Sequence, residues 1–304
     1  MERVACNLCG SEHSKSLMRV KGWDIVQCNR CGLAYLNPRP GEEELNCLYE
    51  EEYFSRHVSD RDDLYLVDEA RIQEHIAMQR PRVGRIEKYT KGSKGKLLDV
   101  GCATGFFLAC ARARGWDVQG MEISECAAEY AIEKLQLDVR VGKLEDLSLP
   151  REGFDVVTMC HSLEHHPNPL RSLKAIWHSL KRGGWLVVEL PNFGSFDARW
   201  LRAEWEEGLR VPYHLYHFSA QTLTRMLEEA GFRVLNIDFE ASRVITRSLK
   251  GFFGIRDEQA VGESTSAREV NKTRLLFRRI LKWTIKQGFR GRDMTVFAKK
   301  HARG

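Results

Sequence analysis

Four cysteines and four residues around one short turn carry the chemistry legible in this chain. Cys6-x2-Cys9 and Cys28-x2-Cys31 are matched thiol pairs with eighteen residues between them, each followed by a glycine, Gly10 and Gly32. Two thiolate pairs on knuckle-like turns supply four soft ligands for tetrahedral Zn²⁺, and a closed four-thiolate site keeps no position for substrate. The expected ion is therefore structural. The second group lies in LLDVGCATG, residues 97–105, where Leu97, Leu98 and Val100 flank Asp99 and are followed by Gly101 and Gly105. There a buried strand must turn into a helix, and the next short strand ends at Glu122. This order sets a carboxylate, a tight backbone loop, a helix N-terminus and a second carboxylate around one crevice, the place where open α/β sheets hold a nucleoside.

Spacing separates two cofactor classes. A dinucleotide fingerprint, Gly-x-Gly-x-x-Gly, read from Gly101 meets Ala103 and then Phe106, and a phenyl ring cannot stand where backbone must approach a pyrophosphate. The pattern Asp-x-Gly-x-(Gly/Ala)-x-Gly instead fits Asp99, Gly101, Ala103 and Gly105. In this stretch the chain resembles motif I of the class I S-adenosylmethionine-dependent methyltransferases. The resemblance implies an α/β fold with a Rossmann-like seven-stranded sheet, strand order 3-2-1-4-5-7-6, and S-adenosylmethionine as cofactor. It implies that Gly101 and Gly105 admit the methionyl portion and that Asp99 buttresses the loop. Glu122, with Ile123 beside it, is expected to take both ribose hydroxyls, since a carboxylate offers two accepting oxygens. GKLED, residues 142–146, is expected to wrap the adenine, with Leu144 against the ring and Glu145 or a backbone group at its edge.

CHSLEHHPNP follows the fourth strand, where the resemblance places the sulfonium and the acceptor. His161, Glu164 and His165 fall there. Methyl transfer from a sulfonium needs an acceptor held at attack distance in a dry site, and a hydroxyl or carbon acid also needs a base. Histidine titrates near neutrality, so His165 is the first candidate base, with His161 and His214 as further catalytic candidates and His161 also bordering the cofactor. His214 belongs to VPYHLYHFS, residues 211–219, expected as a loop over the carboxyl ends of the strands. Its Tyr213, Tyr216 and Phe218 could wall the acceptor. His214-x2-His217 is a weak metal pair on its own, because it lacks a third ligand at useful spacing.

The elements that must position these groups alternate as βαβ units. Strands are expected at 96–100, 117–121, 138–142, 154–160, 185–191, 232–239 and 294–299. Helices are expected at 105–114, from Ser124 to about 136, from Asn168-Pro169 to about 181, and at 220–231. A zinc ribbon spans 1–40, and a helical linker 41–92, in which residues 62–91 read as one helix kinked by Pro81. The methyltransferase domain spans 93–304. An insertion at about 241–291 separates its last two strands and holds a helix near 272–287 with Arg274, Arg278, Lys282 and Lys286 along one face. That face is a candidate for contact with an anionic membrane surface or for simple solvation.

The chain has 304 residues, 43% hydrophobic and 29% charged, as in an ordinary soluble protein. Its nine cysteines are odd in number and several lie in apolar segments, which suits a reducing compartment; with no apolar leader at the N-terminus, the cytoplasm is expected. The net charge of +5 comes from residues 264–304, which hold twelve Lys or Arg against two acids. The remainder is acidic, which argues against nucleic acid as partner and for a small-molecule acceptor, such as a nucleotide- or lipid-linked sugar. The N-terminal segment resembles the ribbon ahead of many bacterial class I methyltransferases, sugar methyltransferases among them. Two rivals stay open: an RNA base methyltransferase, and a non-catalytic zinc-ribbon adaptor on a methyltransferase fold.

Overall fold

The computed structural model describes residues 1–47, 71–242, 246 and 290–301. A four-stranded sheet and a seven-stranded sheet organise them. The small sheet holds β1 (Ser14–Val20), β2 (Trp23–Cys28), β3 (Ala34–Leu36) and β9 (Tyr216–His217), in that order. The large sheet holds β4 (Lys96–Val100), β5 (Asp117–Glu122), β6 (Val139–Val141), β7 (Phe154–Cys160), β8 (Leu180–Pro191), β10 (Phe232–Ala241) and β11 (Arg290–Lys300). Its order is β10-β11-β8-β7-β4-β5-β6. The strands from β6 to β8 run parallel, and β11 returns antiparallel between β8 and β10. This is the expected order 3-2-1-4-5-7-6 read from the other edge.

Alternation along the central strands fixes which residues face which helical layer. Leu97, Val156, Val187 and Phe297 belong to one apolar cluster, while Leu98, Val157, Leu186 and Val188 belong to the other. All are buried, as a parallel sheet covered on both faces requires. The expected caps are present: Ser124 accepts from the Ala127 N–H at 3.3 Å, and Asn168 from the Arg171 N–H at 3.0 Å with Pro169 opening its helix.

Two expectations change. The linker helix, as far as it is described, is two helices, Ile72–Met78 and Arg80–Tyr89, broken at Gln79. Pro81 lies in the first turn of the second helix, where its missing N–H forfeits no bond, so it starts a helix instead of kinking one. Residues 211–219 are not all loop: Tyr216 and His217 pair antiparallel with Tyr35 and Ala34, completing the ribbon sheet. The basic helix near 272–287, nearly all of the insertion and residues 62–70 lie outside the described residues. Among the described residues no helix is long and apolar enough to cross a membrane.

Candidate active site

The site forms at the carboxyl ends of β4, β5, β7 and β8. At the end of β4 the chain turns through three left-handed residues, Gly101 (φ 78°), Ala103 (φ 47°) and Gly105 (φ 79°), before the helix Phe106–Ala113. At Gly101 the missing side chain matters for space as well as conformation. A β-carbon there would lie 2.8 Å from the Ser162 Oγ, so only a residue without one lets the turn pack this closely on Ser162. Glu122 ties the turn to β5. Its Oε2 accepts the Ala103 N–H at 2.8 Å and its Oε1 the Ser124 N–H at 3.0 Å. Burial pushes its carboxyl above the ordinary range against the pull of those N–H groups. Each oxygen keeps a second lone pair, so the carboxylate can still accept two ribose hydroxyls. Ile123 presents a partly exposed apolar side chain next to it, and Leu144 is buried.

Asp99 stays under the loop. It is 3% exposed and accepts the Thr158 hydroxyl at 2.6 Å, linking β4 to β7. Burial raises its pKa to about 7, against that hydrogen bond. Glu145 accepts the Ser172 hydroxyl at 2.7 Å and lies 3.5 Å from His166 Nδ1. Burial acts upward on its carboxyl, but His166 and Ser172 outweigh it and hold the pKa at about 2.

The histidines fall into two kinds. His161 directly follows β7 with φ 52°, and its side chain is 40% exposed. Its Nδ1 is 3.6 Å from Glu164 Oε1 and its Nε2 is 3.9 Å from Glu189 Oε1. Burial works against its charge, yet Glu164 more than compensates and raises its pKa. His165 is half-buried in the short 3-10 turn Leu163–His165 and donates Nδ1–H to the Tyr213 carbonyl at 3.0 Å. His214 is 3% exposed and donates Nδ1–H to the Gly208 carbonyl at 2.9 Å. Their rings meet edge to face with centroids 4.7 Å apart. Burial, with the neighbouring His214, drives His165 down to about 3, and burial drives His214 well below its ordinary range. A lowered pKa makes either imidazole a weaker base than a free histidine.

The aromatic wall is likewise thinner than expected. Tyr216 and Phe218 are 3% and 0% exposed and pack between the ribbon and the large sheet. The Tyr216 hydroxyl donates to the Pro167 carbonyl and accepts from Arg39. Four side chains around the cleft carried no sequence expectation. Arg82 and Arg85, three apart and so on one helix face, donate to Glu189 at 2.5 and 2.9 Å, and Thr295 adds its hydroxyl at 3.0 Å. An acid inside the apolar run WLVVELP was the available signal for that cluster.

In the ribbon, Cys6 and Cys31 Sγ lie 3.4 Å apart and Cys9 and Cys28 Sγ 3.5 Å apart, with all four within 4.8 Å of one another. Sulfurs ~2.3 Å from a tetrahedral zinc lie about 3.8 Å apart, so this donor set fits the ion. The two knuckles are alike: Gly10 N–H returns to the Cys6 carbonyl at 2.8 Å, and Gly32 N–H to that of Cys28 at 3.0 Å.

A family model described as a methyltransferase domain matches residues 70–237. The chain belongs to that methyltransferase family. The ubiquinone biosynthesis O-methyltransferase of Idiomarina loihiensis is 38% identical over 118 residues, which are 36% of this chain and 49% of that protein. A tRNA U34 carboxymethyltransferase from Desulfotalea psychrophila is 29% identical over 156 residues, 49% of this chain and 48% of its own. The chain thus spans about half the length of these curated relatives. Among solved structures, a SAM-dependent methyltransferase from Archaeoglobus fulgidus aligns with TM-score 0.54 at 23% identity, covering 82% of this chain and all of that one. One from Thermotoga maritima aligns with TM-score 0.51 at 21% identity, covering 82% and 98%. These structural likenesses show the shared fold. The methyltransferase turn described above, with its bare Gly101 and its Glu122 lone pairs, fits S-adenosylmethionine.

Proposed function

We propose that the chain transfers a methyl group from S-adenosylmethionine to a hydroxyl of a small molecule, with a saccharide as the favoured class. The bound donor supplies an already charged, electrophilic methyl, so the protein's tasks are to hold the acceptor, exclude water and take one proton. The observation that carries the proposal is His161. It is the candidate histidine with an exposed ring, it stands at the end of β7, and Glu164 and Glu189 flank its two nitrogens. We assign it the acceptor's proton; the half-buried His165 and the buried His214 shape the wall behind it. Gly101, Gly105, Glu122, Ile123 and Leu144 hold the cofactor in this proposal, with Asp99 beneath them. The similarity to O-methyltransferases supports oxygen as the acceptor atom. The tRNA-modifying relative supports a second reading, methylation of RNA.

Incubating the protein with radiolabelled donor and fractionated cell extract tests both. Label is expected in a small-molecule fraction, and His161→Gln is expected to lower incorporation at least ~100-fold while donor affinity is kept. Label in RNA, with binding that weakens steeply as salt rises, would establish the second reading instead.

A further inference from the structure

We propose that Glu164, His165 and His214 form a second metal site, buried behind His161, that takes a divalent transition cation. Two loops build it. Glu164 and His165 lie in the turn after β7, and His214 in the segment after β8. The loops are fastened together, since the Leu215 N–H donates to the Glu164 carbonyl at 2.9 Å and His165 Nδ1 to the Tyr213 carbonyl. One ligand atom from each of the three side chains lies within 4.8 Å of the others, and Glu164 Oε1 stands 3.9 Å from His214 Nε2. Ligands ~2.1 Å from a metal lie roughly 3.0 to 3.4 Å apart, so small side-chain adjustments close the set around an ion.

Two independent observations point to a cation there. Glu164 is 1% exposed, and among the described residues neither of its carboxylate oxygens has a donor within 3.5 Å; the nearest approach is His161 Nδ1, 3.6 Å from Oε1. Buried carboxylates are ordinarily hydrogen-bonded or bound to metal. The second is the proton arrangement of the imidazoles. Each histidine commits its Nδ1–H to a backbone carbonyl, Tyr213 for His165 and Gly208 for His214, which leaves the lone pair on Nε2. On His214 that lone pair faces the Glu164 carboxylate, two electron-rich groups opposed without a proton between them. A cation between them removes the conflict. Metal-bound histidines commonly have their second nitrogen pinned in this way, by a carbonyl. Two imidazoles and one carboxylate suit zinc, iron(II), cobalt or manganese better than calcium. Three protein ligands leave positions open, and on the methyl-transfer reading these hold the acceptor's oxygen beside His161. Occupancy of the site does not depend on that reading.

The test strips the full-length protein with chelator, reloads it with Co²⁺, and counts bound metal by mass spectrometry beside its visible spectrum. Two equivalents are expected. One has the intense thiolate charge-transfer band of the cysteine site, and the other only the weak bands of nitrogen and oxygen ligands. Glu164→Gln and His214→Ala should each retain one equivalent with the thiolate band intact, and donor binding by calorimetry shows that they are folded. A single, wholly thiolate equivalent in the unaltered protein overturns the proposal, whatever the variants do. So does a second equivalent that survives both substitutions. Loss of the second equivalent in protein that transfers no methyl group would leave the site standing and the proposed activity refuted.

Discussion

Ala34 of the ribbon and His217 of the segment after β8 are partners in one antiparallel ladder. The cysteine knuckles and the segment that carries His214 therefore share a sheet. The Leu36 N–H reaches the Leu215 carbonyl at 2.9 Å, and Arg39 donates to the Pro167 carbonyl and the Tyr216 hydroxyl. The ribbon sheet has its outer edge strand supplied by the polypeptide that carries His214.

That sharing predicts that damage to the cysteine cluster is felt in the cleft. Structural zinc contributes on the order of 10 kcal/mol to the folding of small zinc modules, so its loss should melt the ribbon. In Cys28→Ser/Cys31→Ser, amide exchange at Leu36 and at 214–218 should rise by at least ~100-fold, while the β4 and β7 amides keep most of their protection. Hydrogen-exchange mass spectrometry reads both regions in one experiment. Unchanged exchange at 214–218 would mean that the ladder does not couple the two.

Glu122 and Glu145 give a second, paired prediction. Glu122 braces the glycine turn through Ala103 and Ser124, whereas Glu145 is engaged by Ser172 and His166. Removing a charged acceptor from two N–H donors and two ribose hydroxyls costs about 1.5–3 kcal/mol in binding. Glu122→Ala should therefore weaken S-adenosylmethionine roughly 10- to 150-fold by calorimetry, and Glu145→Gln should change it by less than about threefold. Equal effects would show that the ribose site is misplaced.

The turn itself yields opposite signs at two neighbouring positions. Gly101→Ala adds a β-carbon at φ 78°, 2.8 Å from Ser162 Oγ, and should destabilise by ~1–3 kcal/mol. Ala103 already carries a β-carbon at φ 47°. Ala103→Gly relieves that strain and should be neutral or stabilising by up to ~1 kcal/mol, less the extra entropy of the unfolded chain. Urea unfolding of the two variants decides; a stabilising Gly101→Ala would contradict the geometry of the turn.

The sheet was legible because each element carried its own local signal. Val156, Val157, Leu186 and Val188 sit in short apolar runs, and Ser124, Asn168 and Pro169 mark helix starts, so the elements and their caps followed from the sequence, while the strand order came from the family resemblance. Gly101 lies in the contiguous run 97–105, and Glu122 ends the next strand, from which it reaches back to the Ala103 N–H. What the sequence did not disclose is contact at long separation. Tyr216 looks like an exposed loop aromatic until β3, some 180 residues earlier, covers it. The lowered pKa of His165 comes from burial and the neighbouring His214, neither of which its local sequence shows. Arg82, Arg85 and Glu189 are ordinary surface types until a helix lays the first two over the third.

Asp99 supplies the prediction with a defined pH window. Its carboxyl is buried, and burial lifts its pKa from 3.8 to about 7. The folded protein therefore holds a proton that the unfolded chain releases near pH 4. Where the native state binds more protons than the unfolded one, stability falls as pH rises. The stabilisation is complete below about pH 4, where both states are protonated, and is lost as pH climbs toward 7. The full rise corresponds to roughly 4 kcal/mol at most. Asp99→Asn keeps an uncharged side chain that can still accept from the Thr158 hydroxyl. Referred to that variant, the unaltered protein should lose stability steadily between pH 4.5 and 7.5 in denaturant titrations. A difference that stays constant across the window, or one that grows in the other direction, would show that Asp99 is ionised throughout and paired more strongly than its burial opposes.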